Sequence, residues 1–251
     1  MTAADIDAPL PRTRADLRPV LLVLALAAIA LPLIGSFSTW ITLTFAGLAM
    51  GMIIFIVASG MTLVFGLMDV LNFGHGLFIA IGAYMAATVL GSMADWTQSG
   101  SLWLNLAAVL PALIVGMLVA GAVGIAFERV IVRPVYGQHL KQILITMGGM
   151  IIGEEIIKML WGPQTLSLPL PDALRGAVLV GDAAIEKFRI VALVVGLGVL
   201  GGMLWLLNRT KLGLLIRAGV EDREMVESLG YRIRHLFVGV FVAGSMLAGL
   251  G

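Results

Sequence analysis

Apolar residues along this chain do not alternate with polar ones; they run on in blocks. Seven blocks can be read, at roughly 18–36, 41–66, 72–90, 103–127, 143–161, 190–207 and 236–251. Most approach or exceed the ~20 residues that a helix needs to cross a bilayer. A backbone in hydrocarbon must satisfy its own N–H and C=O groups, which excludes open sheets. Unbroken apolar runs also exclude a β-barrel, whose strands alternate. The pattern predicts an all-α fold: a polytopic transmembrane helix bundle, one domain over 1–251. The last block is short for a span, so further spans are expected beyond Gly251.

Composition agrees with the blocks. The chain is 60% hydrophobic and 12% charged, against about a quarter charged in soluble domains. The net charge of +1 gives no electrostatic case for nucleic acid, and with no cysteine there is no disulfide or Cys-ligated metal. Arg12, Arg14 and Arg18 precede the first block much as in a signal peptide. That region is long, however, holds Asp5, Asp7 and Asp16, and lacks a small-residue cleavage site. Residues 1–17 therefore read as a cytoplasmic tail before an uncleaved first span.

Lys and Arg collect in cytoplasmic loops. Here they cluster before residue 20, at 129–141 and at 209–234, whereas 35–40 has none. A cytoplasmic N-terminus puts all three clusters inside, provided that 41–66 and 72–90 together return the chain to the side it left. That region is either two full spans or one span plus a re-entrant segment. Three GxxxG pairs (Gly47/Gly51, Gly149/Gly153 and Gly198/Gly202) are consistent with close helix packing, within the chain or against a partner.

Two polar constellations interrupt the apolar blocks. Gly66–Gly76, GLMDVLNFGHG, holds Asp69, Asn72, Gly74, His75 and Gly76 between two apolar runs. Polar groups in a membrane are expensive and mark pathways, and glycines there imply an interrupted helix with free backbone groups. The segment is a candidate pathway lining or gate. The plainer alternative is a short cytoplasmic turn with Asn72 capping the next helix. In the second constellation, Glu154 and Lys158 are spaced to pair on one helix face, with Trp161 as a belt aromatic.

The stretch 210–234 is a charged island. Counting Arg209, it holds six of the sixteen Lys and Arg and four of the fifteen acids. Glu221 to Leu229 reads as a short amphipathic helix, with Glu221, Asp222 and Glu224 in its first turn, Met225 and Leu229 as an apolar stripe, and Gly230 as its stop. It is either a surface helix whose Arg217, Arg223, Arg232 and Arg234 meet anionic lipid, or a docking helix for a soluble partner. No GxxxxGK[ST], HExxH or GxSxG occurs. The chain therefore carries no phosphate-cradling loop of its own, and no cofactor is expected.

Three blocks of sequence carry a family resemblance. GMTLVFGLMDVLNFGHGLFIAIGAYMA (60–86), FERVIVRPVYG (127–137) with ITMGGMIIGEEIIKMLWG (145–162), and residues 210–251 resemble, in order, the signature blocks of branched-chain amino acid ABC importer permeases. The resemblance implies a permease subunit of a bacterial inner-membrane importer. Its partners would be a second similar permease subunit, two cytoplasmic ATPase subunits that bind ATP, and a periplasmic substrate-binding protein. It maps the ATPase-docking loop onto 208–235, with Arg217, Ala218, Glu221, Asp222, Met225, Leu229 and Gly230 as carried-over positions. Gly219 stands where members often have another small residue or Thr. The alternatives are a urea or short-amide importer permease of the same family, an ion- or proton-coupled secondary transporter relying on Asp69 or Glu154/Glu155, and a membrane scaffold.

Overall fold

The computed structural model describes residues 18–251 except 165, 167–169 and 232. The expected tail at 1–17, with Arg12 and Arg14, lies outside the described residues, as do Arg232 and the side chains of Arg223 and Glu224.

Helix α1 (Arg18–Ile34) folds back on α2 (Phe37–Met68), and the Trp40 indole N–H donates to the Ala27 carbonyl at 2.7 Å. Ser36 caps α2 by accepting the Thr39 N–H. Then follow α3 (His75–Ser92), the short α4 (Ala94–Thr97) and α5 (Leu102–Phe127). A π-helical turn at Glu128–Val132 and a 3-10 turn at Arg133–Val135 continue α5. Helix α6 (His139–Trp161) leads to a hairpin of β1 (Ala177–Val180) and β2 (Ala183–Glu186). The chain ends in α7 (Lys187–Arg209), α8 (Lys211–Glu221), α9 (Arg223–Ser228) and α10 (Ile233–Leu250).

Five helical units among the described residues are long and apolar enough to cross a membrane: α2, α3, the continuous 102–135 unit, α7 and α10. The apolar stretch of α1 is shorter. Helix α6 has the length, at 23 residues, but carries Lys141, Glu154, Glu155 and Lys158. The seven apolar blocks are all helical, and five of them meet the stricter test.

Helix α10 sits at the centre, against α2, α3 and α5. Lipid tails are as apolar as leucine, so helices in a bilayer are held by close contact rather than by expulsion of water. Glycines provide that contact. A methyl group on Gly244 would lie 2.7 Å from the Gly60 carbonyl oxygen, and one on Gly116 would lie 2.9 Å from that of Gly82. One on Gly82 would strike the Gly249 carbonyl. The GxxxG pairs behave differently: Gly47, Gly51, Gly198 and Gly202 face open space, and Gly149 and Gly153 meet only side chains. Spacing within one helix does not determine which face meets another backbone. Phe78, Phe127 and Phe241 form a buried cluster, with ring centroids 5.4–6.4 Å apart.

At the end where α5 begins, buried Asn105 ties two loops together. Its amide donates to the carbonyls of Trp96, Ser99 and Ser101, and its oxygen accepts the Ala173 N–H. Strand β2 packs on α2 and α7. Trp161 fastens α6 to α3 through a hydrogen bond to the Thr88 hydroxyl at 2.8 Å and a tilted contact with Tyr84. The expected Glu154–Lys158 pair does not form. Lys158 instead meets Glu155, three residues away, at 2.6 Å on an exposed face.

Candidate functional site

The interruption after α2 is an irregular segment that doubles back. Helix α2 ends with Asp69 in the left-handed region (φ 53°), its N–H bonded to the Phe65 carbonyl. Six residues later, the His75 ring nitrogen Nε2 lies 3.2 Å from the Val57 carbonyl oxygen. Val57 is about three turns before the end of α2, so residues 69–74 and the His75 side chain together reach back along it. The His75 side chain thus ties the start of α3 to the second half of α2. Of the two arrangements expected here, the helices match two full spans, since α2 and α3 are both of spanning length, with an irregular segment between them.

An irregular segment with no neighbouring strand has to find other partners for its backbone. Helix α6 provides them. The Leu71 N–H donates to Gln142 Oε1 at 3.4 Å, and the Phe73 N–H donates to Thr146 Oγ1 at 3.2 Å. Gln142 and Thr146 lie one helical turn apart on one face, and both are fully buried. The Gln142 amide donates onward to the Val135 carbonyl at 3.1 Å. The Gly74 N–H is met by Asn72 Oδ1 at 3.0 Å. Asn72 therefore serves its own loop and does not cap α3, whose start at Gly74 has no side-chain cap.

The five sequence candidates here take different positions. Asp69 is exposed, with its carboxylate 3.6 Å from His139 Nε2, so it forms a surface contact of small energetic worth. Asn72, Gly74 and His75 are buried. Gly74 packs against Phe127 with no room for a side chain, and the His75 ring meets Phe78 edge-on. Gly76 is exposed, near Met150.

Sequence reading missed Gln142, Thr146, Glu128 and Tyr136. Glu128 is completely buried where α5 passes into the π-turn, an irregularity that recurs at functional sites. The Tyr136 hydroxyl donates to its Oε1 at 2.5 Å. Among the described residues, Glu128 Oε2 and Asn72 Nδ2 are the buried side-chain atoms without a hydrogen-bond partner. The signals were a polar i,i+4 pair in the first turns of an apolar helix and an acid directly after an apolar run. This polar seam offers donors and acceptors but no group of three potential metal ligands. Beside it, α3, α5 and α6 enclose an apolar cleft of about 530 Å³, walled by residues such as Leu77, Val123, Ile152 and Ile157.

The charged island lies at the same end of the bundle. Gly219 of α8 is next to Leu67 near the end of α2, and Tyr136 meets the Phe237 ring of α10 edge-on. The helix expected over Glu221–Leu229 is present as α9 but starts two residues later. Helix α8 runs through Glu221, Asp222 turns out of it into extended geometry, and α9 starts at Arg223. Asp222 is the N-cap of α9, its Oδ1 accepting the Met225 N–H at 2.9 Å. A side chain at this position that satisfies a first-turn amide favours the start of a new helix. Gly230 ends α9 with φ 85°; its N–H goes to the Glu227 carbonyl and that of Tyr231 to the Val226 carbonyl. That pairing is a Schellman stop.

The docking candidates then sort by position. Arg217, Glu221, Met225 and Leu229 are exposed, and Arg217 is held by the Asn208 amide oxygen at 3.1 Å. Asp222 and Gly230, also exposed, set the ends of α9. Ala218 is half-buried against the core, and buried Val226 anchors α9.

A bundle of spanning helices, with a polar seam and a charged loop at one end, defines a polytopic membrane protein. The family model for the permease component of branched-chain amino acid transport systems matches residues 43–251, and the chain belongs to that family. It is 30% identical over 209 residues to the high-affinity branched-chain amino acid transport system permease protein BraD of Pseudomonas aeruginosa, covering 81% of this chain and 66% of that protein. It is 28% identical over 213 residues to LivH of Escherichia coli K12, a permease protein of the same description, covering 82% and 67%. The chain thus spans about two thirds of the length of these relatives. No solved structure matches it at a significant level.

Proposed function

We propose that this chain is the membrane-spanning permease subunit of an ATP-driven importer for branched-chain amino acids. It forms half of the translocation pathway in a bacterial inner membrane, with its N-terminus in the cytoplasm. The family match over 43–251 carries this reading. The basic clusters support the orientation, since 129–141 and 209–234 come together at one end of the bundle. The absence of a phosphate-binding loop supports an engine on separate ATPase subunits. These would press on 210–234 through exposed Arg217, Glu221, Met225 and Leu229. A second permease subunit completes the pathway, and a substrate-binding protein delivers the amino acid from the other side. Specificity is read by that protein and by the lining of the shared pathway.

The test is uptake of radiolabelled leucine into proteoliposomes holding the full gene product, its partner permease, the ATPases and the binding protein. Accumulation that requires ATP and ignores excess urea supports the reading. ATP-dependent urea uptake in place of leucine uptake changes the substrate and keeps the mechanism. Co-purification without an ATPase and without uptake would remove the importer assignment.

A further inference from the structure

The apolar cleft between α3, α5 and α6 has no part in the transport reading. Its volume of about 530 Å³ falls in the ~300–1,000 Å³ range of small-molecule sites. Its walls are aliphatic and aromatic, with Leu77 and Ile81 from α3, Val119 and Val123 from α5, and Ile152 and Ile156 from α6. Among the described lining residues, the Trp161 indole N–H is the one polar side-chain group, and it is already bonded to the Thr88 hydroxyl. A zwitterionic amino acid held here would lose its water and gain no partner, so the cleft does not suit the transported substrate.

Its length suits a lipid tail. The cleft follows α5 from Val119 to Ile131 and α6 from Gly149 to Trp161. On either helix that stretch rises about 18 Å, close to the ~15 Å of hydrocarbon in one leaflet. Val130, Ile152 and Leu160 line it and remain exposed, so a chain can enter from the side.

Charge marks the end that takes a headgroup. Val130 and Ile131, in the wall where α5 passes into the π-turn, are bracketed in sequence by Arg129 and Arg133. Both arginines are exposed, and neither makes an ion pair among the described residues. Lys141, in the first turn of α6, is likewise exposed and unpaired. The acids at this end are engaged elsewhere: Glu128 is buried against the Tyr136 hydroxyl, and Asp69 lies beside His139. Farther along α6 the balance reverses, with Glu154 and Glu155 against Lys158, which Glu155 already holds. An anionic headgroup is therefore favoured at the arginine end alone. Basic pockets between membrane helices bind such headgroups.

We propose that this cleft holds one acyl chain of an anionic phospholipid from the leaflet on the basic side of the bundle, with the lipid phosphate on Arg129 and Arg133. The chain fills the gap between α6 and its two neighbours, and the arginines select the headgroup charge.

The test is native mass spectrometry of the full gene product, stripped of lipid in detergent. It is titrated with palmitoyl-oleoyl phosphatidylglycerol or with the phosphatidylcholine of the same chains. Each cation beside an anionic headgroup is worth about fivefold in affinity, so phosphatidylglycerol is expected to form a 1:1 complex roughly 25-fold more tightly. Arg129→Gln with Arg133→Gln should bring it to the phosphatidylcholine level and leave phosphatidylcholine unchanged. Ile152→Trp, which fills the cleft from an exposed position, should weaken both lipids at least about tenfold by displacing a few methylenes, whereas Ile152→Leu should weaken neither. Unfolding midpoints without lipid check that each variant is folded, and Leu160→Trp replaces Ile152→Trp if the latter is not. Equal binding of the two lipids by the parent, or phosphatidylglycerol binding that survives the paired arginine changes or the filled cleft, overturns the proposal. So does the absence of any lipid complex, the result expected if protein covers the cleft instead.

Discussion

Replacing Thr146 by Val tests how the irregular segment is held. The change keeps the volume and the β-branch and removes one hydroxyl. That oxygen accepts the Phe73 N–H at 3.2 Å and donates to the Gln142 carbonyl at 2.7 Å. The Gln142 carbonyl retains its helical partner, but the Phe73 amide has no strand beside it to turn to. Leaving a buried donor unmet costs about 1–3 kcal/mol. That corresponds to a roughly 5- to 150-fold increase in the open population of the segment. Hydrogen exchange of the purified protein in nanodiscs reads this locally: peptides covering 69–74 should exchange faster by that factor, while those covering 241–248 stay unchanged. Thr146→Ser keeps the oxygen and should remain close to the parent. Equal acceleration in the Val and Ser variants, or none in Val, would refute the claim that a side chain of α6 takes the place of a β-partner here.

Two further outcomes follow from the packing and the caps. Gly82→Ala drives a methyl into the Gly249 carbonyl and should cost about 1–3 kcal/mol, seen as a lowered unfolding midpoint in detergent; Gly47→Ala, into open space, should not lower it. Asp222→Ala removes the cap on the Met225 amide and should destabilise α9 by about 0.5–2 kcal/mol, with faster exchange at 223–228, whereas Asp222→Asn retains most of the protection.

What was legible in the chain was local. Block length fixed the helices, because hydrocarbon admits no other backbone solution over such distances. Gly66–Gly76 stood out because polar residues and glycine broke a run, and the helix does break there. Gly230 as a stop was readable because the signal and its effect are adjacent. The rest depended on tertiary structure. Gln142 and Thr146 serve backbone groups more than seventy residues away, and nothing near either end reports that pairing. Asp69 looked like an intramembrane charge until the turn of α2 placed it on the surface. Glu128 follows an apolar run without any signal of its burial, yet it is completely buried. The GxxxG pairs share a spacing with real helix contacts, but the residues that meet are single glycines on different helices. Helix α9 starts later than expected because Asp222 faces a choice between two helices that composition does not rank.

The glycine contacts around α10 also partition the bundle mechanically. Where backbone meets backbone, as at Gly60 with Gly244 or Gly82 with Gly249, neither helix can roll without driving a side chain into a carbonyl. Helices α2, α3, α5 and α10 are keyed together in this way, like wards in a lock. Helix α6 is held differently, by hydroxyl and amide side chains near its start and by one indole at its end, across a cleft lined by flexible aliphatic groups. Such bonds can be exchanged for others with little change in packing. A change in the shape of this subunit therefore has an easy direction, displacement of α6 relative to the keyed block, and a hard one, rearrangement inside the block.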